Sequence, residues 1–302
     1  MTDRRSPDDA APGSADDGRP DDDRPTVSAI DAELLDVAVE GARRAGTLLL
    51  DGRGQARAID TKSSATDMVS EMDRGAEALI RAVIAERRPG DAVLGEEGGQ
   101  TSGRPKRSRR PPTGMRWIVD PLDGTTNYLY GFPAWSVSVA VERDGQVVVG
   151  AVLDPTHDEL WTAVRGAGAR LNGIPLRRLG DGGGLSTALV ATGFGYLAER
   201  RSRQGPIVAE LLPVIRDIRR AGSAALDLCW VAAGRLDAYF EDGTQLWDWA
   251  AGALVARENG AWVGGFDDDE PTAEGILAAR PALAAELSAA LRAARLRAGA
   301  RT

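Results

Sequence analysis

The chain has 302 residues, 43% of them hydrophobic, with a net charge of −8 and one cysteine, Cys229. That length supports one large domain or two packed subdomains, the acidic balance argues against general nucleic-acid binding, and a lone cysteine excludes an internal disulfide. A single histidine, His157, rules out histidine-rich zinc sites and leaves Ser-His-Asp or Cys-His schemes hanging on one loop residue.

Residues 1–27 are Asp, Pro, Gly, Ala and Ser with scarcely an apolar side chain, which predicts a disordered acidic tail. No basic start followed by an apolar core stands there, so no secretory signal is expected. No apolar run approaches the roughly 18 residues a membrane helix needs, and a reducing cytoplasm is the simplest compartment. Ser28 or Asp31 can cap a first helix whose Leu34, Leu35, Val37, Val39, Ala42 and Leu48 recur mostly at helical spacing, ending near Asp51-Gly52. Lys62 to Asp67 reads as a capped loop leading to a second helix, about Asp73 to Glu86, stopped by Pro89-Gly90.

Two short apolar strands follow, one ending in Glu96-Glu97 between glycines, the other (Trp117-Ile118-Val119) in Asp120. Between them, residues 100–114 carry Arg104, Lys106, Arg107, Arg109 and Arg110 among prolines. No aromatic interleaves these charges, so an exposed mobile insert is expected rather than a nucleic-acid contact. The octapeptide from Asp120 to Asn127 places two carboxylates three residues apart, and Pro121 and Gly124 predict a turn at the strand end. That turn would set Asp120 and Asp123 on one side with the Leu122 carbonyl between them, an oxygen donor set that suits Mg²⁺. Gly124 and Thr125 then offer backbone N–H groups to a phosphate where a short helix begins.

Val137 to Leu176 alternates and turns at Asp144-Gly145, Arg165-Gly166 and Asn172-Gly173, which predicts an antiparallel meander. From about Ser186 strands and helices alternate: Thr187–Thr192, a helix near 200–215, a helix from Ser223, Leu236–Glu241, a helix from Asp248 to about Glu258, Ala261–Gly264, Ile276–Ala279, and a last helix from Pro281. The expected fold class is α/β, with an acidic tail over 1–27, an α+β subdomain over 28–180 and an α/β subdomain over 181–298.

Four segments, KSSATDMVSEMD (62–73), GEEGG (95–99), WIVDPLDGTTNY (117–128) and WDWAAG (247–252), resemble the motifs of the inositol monophosphatase family, within the Mg²⁺-dependent, lithium-sensitive sugar phosphatases. The resemblance runs from about residue 30 to about residue 297. It implies a layered sandwich of helices and sheets, with a metal site where the two halves meet. Carried over residue by residue, it implies that Glu96, Asp120 and the Leu122 carbonyl hold one Mg²⁺, that Asp120, Asp123 and Asp248 hold a second, and that Glu96 with waters holds a weaker third. Glu96 and Thr125 would activate the attacking water, with Asp73 close to the metals. Substrate contacts would fall to Asp123, Gly124, Thr125, Glu241 and the Gly222-Ser223-Ala224 turn. Lys62, one of two lysines among 37 basic residues, is a candidate compact charge for the phosphate.

The activity implied is hydrolysis of a phosphorylated polyol, inositol 1-phosphate first, by a homodimer. Fructose 1,6-bisphosphate, histidinol phosphate and 3′-phosphoadenosine 5′-phosphate are the close competitors. A role as a transcription-machinery partner with dispensable catalysis stays open beside them. Tyr128, where phenylalanine is usual, and Trp249 are expected to reshape the pocket rim.

Overall fold

Ser28 starts the first helix. Its hydroxyl oxygen accepts the backbone N–H of Asp31 at 3.1 Å, satisfying a donor that has no partner inside the helix, and α1 runs Ala29–Gly52. The structure is a computed structural model that describes residues 27–53, 58–61, 68–101 and 113–299. The acidic tail up to residue 26, Lys62 and positions 102–112 of the Arg-rich insert lie outside the described residues.

A short hairpin, β1 (Ala58–Thr61) and β2 (Met68–Ser70), leads into α2 (Glu71–Arg87), which packs along α1. Then come β3 (Ala92–Gly95), β4 (Gly99–Thr101), β5 (Met115–Asp123) and a six-residue helix α3 (Thr125–Tyr130). The expected meander follows as β6 (Ser136–Arg143), β7 (Gln146–Asp154), β8 (Glu159–Val164), β9 (Gly168–Leu171) and β10 (Ile174–Pro175). Its turns hold left-handed residues where the sequence places Asp144-Gly145 and Asn172-Gly173. These strands form an eight-stranded sheet of order β10-β9-β8-β7-β6-β5-β3-β4, antiparallel throughout except for β3 beside β5.

The second half contains β11 (Leu189–Thr192), α4 (Ala198–Leu211), β12 (Asp217–Arg219), α5 (Ala224–Ala232), β13 (Ala238–Glu241), α6 (Leu246–Glu258), β14 (Trp262–Gly264), β15 (Ile276–Ala279) and α7 (Pro281–Gly299). Its five-stranded sheet has the order β12-β11-β13-β15-β14, parallel at β11's two neighbours and antiparallel beyond them. The strand β12 was not anticipated, because Asp-Ile-Arg carries no apolar run.

Alternation along β5 sets the layering. Trp117 and Val119 join a core with α1 and α2 (Leu34, Val37, Ile80, Ile84), whereas Ile118 faces the opposite core with α5 and α6 (Leu228, Ala251, Val255). That second core reaches Tyr239, Val263 and Ala278 of the smaller sheet, whose far face carries Val190 and Leu277 against Leu211 of α4 and Leu283 and Leu287 of α7. The result is α1/α2, large sheet, α5/α6, small sheet, α4/α7, an α/β layered sandwich. Small residues let α6 sit close to its neighbours: a β-carbon on Gly150 would stand 2.9 Å from the Ala251 carbonyl, and one on Gly252 would stand 3.0 Å from that of Ala225. This is the packing reason for the Ala-Ala-Gly run after Trp249.

Candidate active site

The strand β5 does not end at Asp120 as the proline suggests; it continues through Pro121 to Asp123. In an uninterrupted strand, residues three apart face opposite sides. Here Asp120 pairs with Ser138 and Asp123 with Ser136, three steps on β5 against two on β6, so a bulge inserts one residue. Asp123 thereby takes the place of a residue two along from Asp120, and both line one cavity of about 580 Å³. Strand register, not a turn, puts the two carboxylates together.

Gly124 follows at φ +95°, where a β-carbon would come within 3.0 Å of the Ala134 carbonyl and 3.1 Å of the Gly222 carbonyl. The chain then enters α3, whose first residue places Thr125 Oγ1 2.8 Å from Asp73 Oδ1 and 3.1 Å from the Leu122 carbonyl. Asp73 is fully buried behind Thr125. The turn between β3 and β4 brings Glu96 to the same cavity, its N–H bonded to Val119 O at 3.2 Å. Asp248 arrives from the second half, as the third residue of α6 rather than its cap. Its carboxylate accepts the Gln245 N–H at 2.6 Å in a reciprocal capping arrangement.

Glu96, Asp120, Leu122, Asp123, Gly124, Thr125, Gly222, Ala224, Glu241 and Asp248 all line this cavity. Ser223 does not. Its hydroxyl donates to Asp123 Oδ2 at 2.6 Å, and the Ala225 N–H donates to the same oxygen at 2.8 Å, so Asp123 ties the N-terminus of α5 to β5. The Ser223 hydroxyl, in the turn expected to meet the substrate, is committed to Asp123. Tyr128 is also not at the rim: it is buried, with its hydroxyl donating to Leu49 O at 2.7 Å and its ring edge-on to Trp135 at 5.1 Å. His157 sits in the β7–β8 turn, paired with Asp154 at 2.8 Å, away from the cavity lining.

Electrostatically the cavity is crowded with acid. Burial pushes Asp123 up to about 6 and Glu241 up to about 7; Asp248 is raised well above the usual carboxylate range by burial and then by the charges of Glu96 and Asp123. Among the described residues, however, no three acidic, histidine or cysteine side chains are drawn together as a ready-made cation cage. Each acid is instead held by the backbone: Asp120 accepts the Leu122 N–H at 3.0 Å, Asp123 accepts the Ala225 N–H at 2.8 Å, and Asp248 accepts the Gln245 N–H at 2.6 Å. The donor set is nonetheless all oxygen, which fits Mg²⁺ and gives softer metals no thiolate or imidazole.

A sequence profile described as the inositol monophosphatase family matches residues 31–297. The chain belongs to the inositol monophosphatase family. Within it, the inositol-1-monophosphatase SuhB of Mycobacterium tuberculosis is 46% identical over 260 residues, covering 84% of this chain and 85% of that protein. A protein of Vibrio cholerae named Nus factor SuhB is 41% identical over 237 residues, covering 77% of this chain and 85% of that protein. The crystal structure of the extragenic suppressor protein SuhB from Bartonella henselae superposes with a TM-score of 0.77 at 35% identity, covering 86% of this chain and 98% of that one.

Sequence reasoning missed part of the cavity's lining. Phe194, Tyr196, Arg200, Arg220 and Asp242 line the cavity too, and Tyr239 donates its hydroxyl to Glu241 at 2.9 Å. The signal available was Gly193-Phe-Gly195, a glycine pair at a strand end before an arginine-rich helix.

Proposed function

We propose that this chain is a phosphoric monoester hydrolase that converts inositol 1-phosphate to inositol and phosphate. Its membership of the inositol monophosphatase family, joined to one cavity that gathers Glu96, Asp120, Asp123, Thr125 and Asp248 from both halves, carries the reading. Glu96, Asp120, Asp123, Asp248 and the Leu122 carbonyl would hold two or three Mg²⁺ ions. When bound, such ions supply positive charge to the phosphoryl oxygens and make a water acidic enough to react near neutral pH.

The chain's own groups do the rest. Thr125 Oγ1 commits its proton to Asp73 or to Leu122 O, which leaves lone pairs to accept from the attacking water; Glu96 would take the proton that water gives up as its oxygen bonds to phosphorus and the ester P–O bond breaks, and the leaving alkoxide would take a proton from solvent. The Gly124 and Thr125 N–H groups would bind the phosphate. Glu241, held by Tyr239, and Asp123 would accept from the hydroxyls of the polyol ring, with Gly222 and Ala224 shaping the floor beside them. Lys62 is proposed to contribute charge to the phosphate.

Residues 28–180 and 181–298 are proposed as two subdomains that meet around α5 and α6. A cytoplasmic homodimer inhibited by lithium completes the proposal. No helix among the described residues is long and apolar enough to cross a membrane.

The test is phosphate release from inositol 1-phosphate with and without Mg²⁺, for the wild type and Asp120→Asn. Loss of at least about 10³ in kcat is expected for the variant; wild-type turnover that survives chelation, or an unaffected variant, overturns the mechanism. The Vibrio cholerae relative's name favours a second reading, a transcription-machinery partner. Cells that need the protein but are rescued by Asp120→Asn would support that reading.

A further inference from the structure

The parallel ladder between β11 and β13 reaches Thr192 and Phe240, and beyond it both chains go on to line the active-site cavity. Past the end of the ladder a buried side chain bridges them. Gln204, on α4, accepts the Gly195 N–H on its Oε1 at 2.9 Å, and its Nε2 donates to the Asp242 carboxylate. The partners fix which end of the amide faces which, because a backbone N–H only donates and a carboxylate accepts. Each chain has a second fastening. Arg201, on the same helix, donates to the carbonyls of Gly195 and Tyr196 at 3.1 and 2.6 Å. The Gly243 N–H donates to the Ala273 carbonyl at 2.8 Å.

This clasp stands directly behind Glu241. That acid precedes Asp242 in the chain, and a β-carbon on Gly193, two residues before Gly195, would strike its carboxylate. Glu241 is therefore wedged between the Gly193 backbone and the Tyr239 hydroxyl, which donates to it at 2.9 Å. How far its oxygens reach into the cavity depends on how closely the chains after β11 and β13 approach each other. Gln204 does not line the cavity; it faces the crevice behind, with Ile207, Val208 and Phe266. In that apolar setting an unmade hydrogen bond is costly, so the amide holds the two chains at one spacing.

We propose that Gln204 is a positioning residue for polyol recognition: its amide clasps the chain after β11 to the chain after β13, and so sets where Glu241 meets the ring hydroxyls, without itself touching the substrate. The proposal rests on the reading above of Glu241 as an acid that meets the ring. The role needs an acceptor at one end of the side chain and a donor at the other. Gln204→Glu keeps the acceptor for Gly195 but turns a second carboxylate on Asp242, which drives the chains apart. Adding Asp242→Asn restores a donor to that contact, with the hydrogen bond running the other way.

The experiment measures kcat and KM of the full chain with Mg²⁺ on inositol 1-phosphate and on phenyl phosphate, which offers no ring hydroxyl. Gln204→Glu is expected to raise KM for inositol 1-phosphate about tenfold, with kcat and both phenyl phosphate constants changed less than about twofold. The double variant is expected to bring that KM back to within about twofold of Asp242→Asn alone. Gln204→Met, which keeps the volume but makes neither bond, should raise KM as Gln204→Glu does, and it carries the comparison if the glutamate variant does not fold. An equal loss on both esters, a Gln204→Met KM like that of the wild type, or a double variant no better than Gln204→Glu overturns the proposal. Wild-type turnover of phenyl phosphate without turnover of inositol 1-phosphate would instead strike the polyol reading, and turnover of neither would strike the phosphatase reading.

Discussion

The carboxylate of Glu77 accepts the backbone N–H of Glu97 at 2.7 Å, which ties the middle of α2 to the turn that presents Glu96. The same carboxylate accepts the Gly98 N–H at 2.9 Å and the Arg81 Nε–H at 2.6 Å, and Arg81 in turn donates to Gly99 O. Only glycines fit around it: β-carbons on Gly95 and Gly98 would each stand 2.6 Å from Glu77 oxygens. The GEEGG spacing is thus explained by a buried acid some twenty residues upstream.

Removing that acid should loosen both fold and site. Glu77→Ala leaves two backbone donors and Arg81 without their acceptor, and is expected to cost on the order of 3 kcal/mol in denaturant unfolding. Glu77→Gln keeps the volume but brings an NH₂ toward two N–H donors. It is expected to raise the Mg²⁺ concentration for half-maximal activity several-fold, because Glu96 is no longer held in place. An unchanged Mg²⁺ requirement would show that Glu77 supports the fold alone.

Thr125 is where the buried acid Asp73 reaches the cavity. Thr125→Ala removes the hydroxyl that stands 2.8 Å from Asp73, and kcat is expected to fall about 10²–10³-fold with KM little changed, since the loss is felt in water activation rather than in phosphate binding. Thr125→Ser restores the oxygen and should recover most of the rate. Steady-state kinetics on both variants check this; an equal loss for Ala and Ser would assign the effect to packing of the methyl group.

Position within the sequence singled out the pair Asp120 and Asp123, where an apolar strand breaks off; Glu96 and Asp248 stood out only through the resemblance to the family. The alternation in the second half announced α/β, and Ser28 announced its helix. What makes the site was not local. The bulge that aligns Asp120 with Asp123 depends on how β5 registers with β6, which no spacing within β5 reveals. Glu77 reads as one more charge on a helix, and its role appears only when α2 lies against the β3–β4 turn. Ser223, taken for a substrate contact, spends its hydroxyl on Asp123 because the N-terminus of α5 meets the bulge.

Burial of Glu241 makes the metal-free protein's stability depend on pH. Its folded value is raised from 4.5 to about 7, so between those values the folded chain holds a proton that the unfolded chain has released. Stability from this group is therefore complete below about pH 4.5 and is lost as pH rises through 7. Asp123, raised from 3.8 to about 6, acts in the same direction over a lower window. In the presence of a chelator, the wild type is expected to lose melting temperature relative to Glu241→Gln as pH rises from 5 to 8. Mg²⁺ should shrink that difference by favouring the charged acids around it. Melting curves of both proteins across that range, with and without Mg²⁺, provide the comparison. A difference that grows in the opposite direction would mean Glu241 is ionised in the fold at all these pH values.

Gly193 separates recognition from catalysis. It follows β11 directly, and a β-carbon there would strike the Glu241 carboxylate. Gly193→Ala must therefore push Glu241 away from Tyr239, whose hydroxyl now donates to it at 2.9 Å. The reacting groups Glu96, Asp120 and Thr125 come from the first half and do not touch this position. The expected outcome is a KM for inositol 1-phosphate raised about tenfold, with kcat changed far less, as for loss of a hydrogen bond to a ring hydroxyl. A truncated phosphate ester without ring hydroxyls, such as phenyl phosphate, should show no such rise. If its KM rises equally, the substitution has disturbed the phosphate site, and Glu241 is not the residue that reads the polyol.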